Sequence, residues 1–320
     1  MKVMKEKEFI EIIKSVTGSG YIGDDCAYLK DLGIVMTQDN LVENVHFRRE
    51  WITPYQLGRK AVMVNISDVC ASGAKPLYAS IALSLPPDID TEFIKEFYKG
   101  ACSGCVEIVG GDITGADKIF ISVTAIGSAK GRRISSRSGA RVGQKVVVSG
   151  EHGSSGAGLQ LLRHPELDSG SDHRENSVMA RFRVKPGMTW VKAHLEPTAQ
   201  CEFSERIASH INEDYAMMDT SDGLMDALVQ IAQASGIRLS VDFDKIPYDK
   251  GLEEFNQYKD LILYGGEDYQ LVAAVPDEFA HIGTVIGEVK SGNTPGVEIN
   301  GEFLTAKQVG EKIYDHFRKN

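Results

Sequence analysis

The chain has 320 residues, 42% hydrophobic and 25% charged, which is the mix of a folded globular protein with room for one large or two ordinary domains. A formal net charge of −10 excludes a nucleic-acid backbone as principal partner and means that an anionic substrate must arrive with cations. The five cysteines are an odd number, residues 1–8 hold no apolar leader, and no apolar run approaches the ~18 residues of a membrane span, so the expectation is a cytoplasmic protein without a membrane anchor.

Residues 6–16 carry Phe9, Ile12, Ile13 and Val16 at helical spacing. Gly18, Gly20 and Gly23 match a dinucleotide-binding pattern by letter, but no strand precedes them, and a flexible loop is the reading. Gly23-Asp24-Asp25-Cys26-Ala27 and Thr37-Gln38-Asp39-Asn40 flank Ile34-Val35-Met36, a short run read as a buried strand. Acids on both sides of such a run are costly to bury without a cation, and neither motif contains Lys or Arg. Thr53-Pro54 and Gly73 bracket a helix whose Leu57, Ala61, Val64 and Asp68 share a face, so Asp68 points inward. It serves either a metal or a salt bridge to Arg59 or Lys60.

A strand over 78–85 precedes a helix capped by Thr91 and running to about Gly104 with Phe93 and Phe97 inward; Cys102 and Cys105 are expected to pack as small core side chains. Val106–Thr114 repeats the order apolar run, glycines, acid with Gly110, Gly111 and Asp112, and a strand follows over 119–126. Arg132, Arg133 and Arg137 form either a solvated basic loop or an anion clamp. A first domain ends near Val142-Gly143, giving 1–143 and 144–320. Residues 145–149 start a strand, and Gly150–Gly158 leads into a helix without the Gly-Lys-Ser/Thr of a P-loop. The polar, aperiodic segment 164–190 is expected to be a surface insertion, with His164, His173 and His194 at the surface. Asp219-Thr220-Ser221-Asp222-Gly223 opens a helix with Ser221 as its N-cap, and that helix stops at Gly236. An alternating strand over 237–243 follows, then Gly265-Gly266-Glu267-Asp268 and a strand over 271–275. The tail ends in Tyr314-Asp315-His316-Phe317.

The acids at 24, 25, 39, 68, 112, 219, 222, 267 and 268 mostly follow apolar runs, and their recurrence in both halves predicts convergence on one cleft. Oxygen ligands without paired His or Cys favour Mg²⁺ over zinc. Several Mg²⁺ ions in a cleft suit phosphoryl transfer from ATP to an acceptor that is itself anionic.

At GDDCAYL, TQDNLVENVHF, GRKAVMVNISDVCASGAKP, VGGDIT, SGEHGSSGAGLQLL, DTSDGL, YGGEDYQL and YDHF the chain resembles the thiamine-monophosphate kinases, relatives of aminoimidazole ribonucleotide synthetase. The resemblance implies a two-domain α/β (α+β) fold. The N-terminal domain would form a barrel-like core with a second subunit in a homodimer, and a C-terminal α/β domain would follow. It implies transfer of the ATP γ-phosphoryl group to thiamine monophosphate. Carried over by position, Asp25, Thr37, Gln38, Asp39, Asp68, Asp112, Asp219 and Asp222 would hold Mg²⁺. Tyr98, Gly111, Asp112, Arg137 and Ser221 would bind ATP, and His46, Glu267 and Tyr314 the thiamine substrate. No general base is implied. Gln38 stands where Thr is common, Asn44 replaces a usual Gly, and 164–190 is longer than the usual connection. The competing expectations are a related ATP-dependent synthetase with another acceptor, and a non-catalytic nucleotide-binding regulator. A selenophosphate synthetase is disfavoured because no cysteine precedes Gly23.

Overall fold

The computed structural model describes residues 6–163 and 186–314. After the N-terminal helix α1 (Glu6–Thr17), its centre is a long helix, α2 (Pro54–Ala71), started by a reciprocal cap. Thr53 Oγ1 accepts the Gln56 N–H at 3.3 Å and Gln56 Oε1 accepts the Thr53 N–H at 3.0 Å, with Pro54 in the first turn. Gly73, at φ +84°, turns the chain away after Ser72. Leu57, Ala61, Val62, Val64, Ile66, Val69 and Cys70 are all buried, so apolar residues surround α2, the pattern of a helix covered on every side.

On one side of α2 lies a five-stranded sheet in the order β1-β2-β5-β3-β4: β1 (Ala27–Leu29), β2 (Ile34–Val42), β3 (Lys75–Leu85), β4 (Glu107–Gly115) and β5 (Phe120–Ser128). All neighbours are antiparallel except β3 and β4. Strand alternation puts Val35, Thr37, Asp39 and Leu41 on the α2 side of β2 and exposes Met36, Gln38 and Asn40 on the other. On the other side lies a seven-stranded sheet built from β6 (Lys145–Val148), β7 (Ala216–Asp219), β8 (Arg238–Val241), β9 (Leu271–Val275), β10 (Thr284–Lys290), β11 (Gly296–Ile299) and β12 (Glu302–Leu304). One hydrophobic cluster contains Ile81, Ile121 and Val123 of the first sheet, Leu57 and Ile66 of α2, and Val147, Met217 and Ala273 of the second. The two halves therefore share a core through α2. A second cluster lies under α7 (Leu224–Ser235) around Leu228, Ile231 and Trp190. The first sheet is open within one chain, with β4 at its edge.

Helix α3 (Thr91–Ala101) crosses α2 at two glycines. A Cβ on Gly58 would stand 1.9 Å from the Phe97 carbonyl oxygen, and one on Gly100 1.8 Å from that of Tyr55. Gly100→Ala is expected to force the helices apart and cost about 3 kcal/mol in denaturant unfolding, whereas Lys99→Ala on the exposed face changes it by about 0.5 kcal/mol or less. Equal effects would remove the close-crossing account.

Several expectations are corrected. The cap of α3 is Asp90, whose side chain accepts the Phe93 N–H at 2.8 Å, not Thr91. Cys102 and Cys105 are exposed because α3 ends before them and the chain turns at the surface. The N-cap of α7 is Gly223, not Ser221, so the helix starts without a side-chain cap. Residues 186–190 are the start of helix α5 (Pro186–Leu195), with Trp190 buried and its Nε1–H donated to Asp249 at 3.0 Å. The rest of the expected insertion, with His164 and His173, lies outside the described residues, as do Asp315, His316 and Phe317.

Candidate active site

The C-terminal half of α2 supplies three polar residues to its buried surroundings. Asn65 Oδ1 accepts the Asp39 N–H at 2.8 Å, Ser67 Oγ donates to Asp219 at 2.7 Å, and Asp68 accepts from Thr37 Oγ1 at 2.7 Å. Thr37 and Asp39 come from the α2 side of β2, Asp219 from the end of buried strand β7, and Asp25 from the loop before β1. Carboxylate oxygens of Asp25, Asp68 and Asp219 lie within 4.8 Å of one another. The loop is held in place by Asp24, which accepts the Arg137 N–H at 2.8 Å and the Ser136 hydroxyl at 3.2 Å.

These carboxylates disturb one another. Burial raises the Asp25 pKa to about 6, with Arg137 opposing and Asp219 adding to the rise. Burial raises Asp39 to about 6, with Asp25 adding to it. Asp68 is pushed well up by burial and then by Asp39, Asp219 and Asp25. Asp219 is raised by burial, opposed by the Ser67 hydrogen bond. Among the described residues one cation enters the group: Arg137 donates to Asp25 at 2.6 Å and to Gln230 at 2.6 Å, and its buried Nε has no hydrogen-bond partner there. Oxygen ligands converging at this spacing, destabilised by burial and mutual repulsion, fit a hard divalent cation.

The proton linkage follows from the direction of these shifts. A carboxyl raised from 3.8 to about 6 in the folded state costs the metal-free fold stability as pH rises through that window. Bound metal must displace those protons. The rise in melting temperature given by Mg²⁺ over EDTA is expected to be small at about pH 5 and full above about pH 7. An increment independent of pH would count against ligation by Asp25 and Asp39.

A second group adjoins Ser221. The Glu267 N–H donates to the Ser221 carbonyl at 2.7 Å, and Glu267 itself has φ +65°. Buried Lys60 of α2 donates to Glu267 at 3.4 Å and to the His194 carbonyl at 3.0 Å. His194 Nδ1 lies 3.2 Å from Glu267 and 3.0 Å from Ser155 Oγ. Burial raises the Glu267 pKa, but Lys60, His194 and His46 outweigh it and leave the pKa lowered, which keeps this carboxylate ionised and places His46 in the same neighbourhood. His46 Nδ1 accepts the Val42 N–H at 3.0 Å.

The chain matches the models of the AIR synthase related proteins over residues 23–129, the N-terminal domain, and 141–300, the C-terminal domain. It is 35% identical to the thiamine-monophosphate kinase of Aquifex aeolicus over 99% of both chains. It is 36% identical to that of Corynebacterium glutamicum over 88% of this chain and 86% of the relative. The chain belongs to the thiamine-monophosphate kinase family. Its fold superposes with a TM-score of 0.84 and 34% identity, over 99% of each chain, on AaThiL complexed with AMPPCP and TMP.

Set out along this family member, the carboxylate group draws Asp25, Asp39 and Asp68 from the first matched domain and Asp219 from the second, with Arg137 in the connection between them. Not every residue implied by the resemblance is gathered there. Gln38 faces the opposite side of the sheet, where its Oε1 accepts from Thr124 at 3.0 Å, so only its backbone could reach the group. Asp112 sits on edge strand β4, three strands from β2, about 14 Å at ordinary strand spacing. It is paired with Ala82 on the face away from α2, the side on which Ser84 and Thr114 meet at 2.9 Å. A Cβ on neighbouring Gly111 would stand 1.8 Å from the Ile81 carbonyl oxygen, so the close approach of β3 requires a glycine there. Tyr98 is half-buried on α3 with its ring edge-on to Phe97, Asp222 is exposed beside Gly223, and Tyr314 is exposed at the end of the described residues. Asp268 caps helix α4 (Ser154–Arg163), accepting the N–H groups of Gly153 and Ser155 at 2.6 and 2.8 Å.

The arginine cluster divides: Arg132 pairs with Glu205, Arg133 with Asp214, and Arg137 alone enters the site, so the three form neither a clamp nor a free basic loop. Arg59 donates to Pro197 and Lys60 to Glu267, so neither neutralises Asp68. His194 is buried rather than at the surface, with burial pushing its pKa down to about 4. The roles of Lys60, His194, Asn65, Ser67 and Gln230 were not legible beforehand. Polar residues on a helix buried all round are the one signal that marks Lys60, Asn65 and Ser67.

Proposed function

We propose that this chain transfers the γ-phosphoryl group of ATP directly to thiamine monophosphate, giving thiamine diphosphate. The observation that carries this reading is the meeting of the Asp25, Asp68 and Asp219 carboxylates within 4.8 Å where the two halves join, in a chain of this family. Asp25, Thr37, Asp39, Asp68, Asp219 and Asp222, with the Gln38 carbonyl and Asp112, would hold several Mg²⁺ ions, whose charge when bound offsets the repulsion between two phosphates. Arg137 offers its unpartnered Nε–H to a nucleotide oxygen, and Ser221, Tyr98 and Gly111 border the nucleotide. Ionised Glu267, aimed by Lys60 and His194, suits the cationic thiazolium ring, with His46 and Tyr314 beside it. The acceptor phosphate has a second pKa of about 6 and attacks as the dianion, so no side chain need act as base.

The working unit in this reading is a homodimer in the cytoplasm. β1 covers β2 only from Ile34 to Met36, leaving the edge from Thr37 to Val42 open, and β4 is the other open edge. Two copies related by a twofold axis pair each open edge with the other and close the sheets into a barrel-like core. Val109, Ile113 and Phe120, exposed in one chain, are covered by that pairing. No helix among the described residues is long and apolar enough to cross a membrane.

The test is turnover with ATP, Mg²⁺ and thiamine monophosphate, following thiamine diphosphate by chromatography. Product formed only when all three are present is the expected result. ATP consumption with another acceptor but not this one would move the chain to a sister activity, and ATP binding without turnover would make it a regulator.

A further inference from the structure

Outside the site, one pair of reactive groups is brought together by the fold. Cys70 lies in the last turn of α2, buried, and Cys201 is the first residue of helix α6 (Cys201–Ala208), at the surface. They are 131 residues apart in sequence, and their sulfurs are 2.9 Å apart, with the Cys70 thiol donating to Cys201. The geometry points to a reversible thiol–disulfide couple at Cys70 and Cys201, which reacts with a small disulfide such as oxidised glutathione and, when closed, ties the N-terminal half to the C-terminal half.

Three features prepare the pair. The sulfurs need to approach by less than about 1 Å to reach the ~2.05 Å of a disulfide. Their backbones are already joined, because Ser204 Oγ, one turn along α6, donates to the Cys70 carbonyl at 2.6 Å. The two thiols are also differentiated. Cys201 is shifted toward thiolate first by the hydrogen bond from Cys70 and then, against burial, by the nearby guanidinium of Arg132, which is itself held by Glu205 at 3.0 Å. Cys70 is buried, so the exposed Cys201 is the sulfur that an external disulfide reaches first. Cys26 is also buried, while Cys102 and Cys105 lie on the surface turn after α3.

The steps balance. The Cys201 thiolate attacks one sulfur of the external disulfide, forming a mixed disulfide and expelling one low-molecular-weight thiolate. That thiolate takes the proton of Cys70, and the Cys70 sulfur then attacks the Cys201 sulfur, expelling the second. Two protein thiols are oxidised and one external disulfide is reduced to two thiols. In a reducing compartment the couple would rest open and close under oxidation, as transient cytosolic disulfides do.

The experiment uses the full chain, folded, exposed to oxidised glutathione, then acid-quenched, alkylated and weighed. The wild type is expected to take up two fewer alkyl groups than a reduced control, to yield a peptide linking residues 70 and 201, and to melt about 5 °C or more higher until dithiothreitol is added. Cys201→Ser should show neither the linkage nor the shift. Cys70→Ser should instead accumulate a glutathione adduct of about 305 Da on Cys201, because nothing resolves it. Retention of all free thiols in the wild type, a lasting glutathione adduct on its Cys201, or a link from Cys201 to another cysteine would each overturn the couple. Because neither residue belongs to the carboxylate group, failure of the kinase reading would leave this result untouched.

Discussion

Asp68→Asn is expected to lower turnover by about a thousandfold while raising the melting temperature of the metal-free protein. Both halves of that outcome come from the same geometry. Asn is isosteric and keeps an oxygen to accept the Thr37 hydroxyl, which donates to Asp68 at 2.7 Å, so the local packing survives. What disappears is the negative charge, which burial and the neighbouring Asp39, Asp219 and Asp25 all oppose. Removing it relieves the metal-free fold of a buried charge that its neighbours repel. It also removes an anionic ligand from the group meant to offset repulsion between two phosphates, an effect worth several kcal/mol of the barrier. Turnover measured at saturating Mg²⁺, with melting curves in EDTA, checks both. An inactive variant that melted lower would mean that Asp68 is structural and that the lost activity says nothing about metal. A fully active one would take Asp68 out of the chemistry.

Much of the site could be read from local chemistry, and the rest depends on topology. Asp25, Asp39, Asp68 and Asp219 each follow or interrupt an apolar run, and the fold brings them together because each run ends beside α2. Period-two alternation already separates Gln38 from Thr37 and Asp39, and the structure places them on opposite faces of β2. Asp112 obeys the same local rule, apolar residues then glycines then acid, yet its strand joins the sheet at the far edge. No local pattern encodes strand order. The Lys60–Glu267 pair spans 207 residues and combines a buried lysine with a positive-φ glutamate, neither of which a motif predicts. His194 looked like a surface residue because a polar segment precedes it. It is buried because Trp190, on the same helix, anchors α5 against the core. The cap of α3 went to Asp90 over Thr91 because a carboxylate one residue earlier reaches the Phe93 N–H, and both residue types are good caps.

The position of Asp112 turns the proposed pairing of chains into a test of the site itself. Three strands and the wrong face separate it from Asp39 within one chain, a gap that no rotamer change closes. If Asp112 holds a metal ion with Asp39, it does so across the boundary where β4 of one copy meets the open edge of β2 in the other. Each active site would then take Asp39 from one chain and Asp112 from its mate. Asp39→Asn and Asp112→Asn homodimers are both expected to be inactive. Mixed by refolding together, half of the dimers are hybrids. In a hybrid one site collects both substitutions and the other receives neither, so the mixture should recover about a quarter of wild-type turnover. Were Asp112 to act within its own chain, both sites of every hybrid would carry one defect and the mixture would stay dead. A monomer with full activity would remove the pairing altogether. The fraction recovered thus separates three arrangements of the same carboxylates.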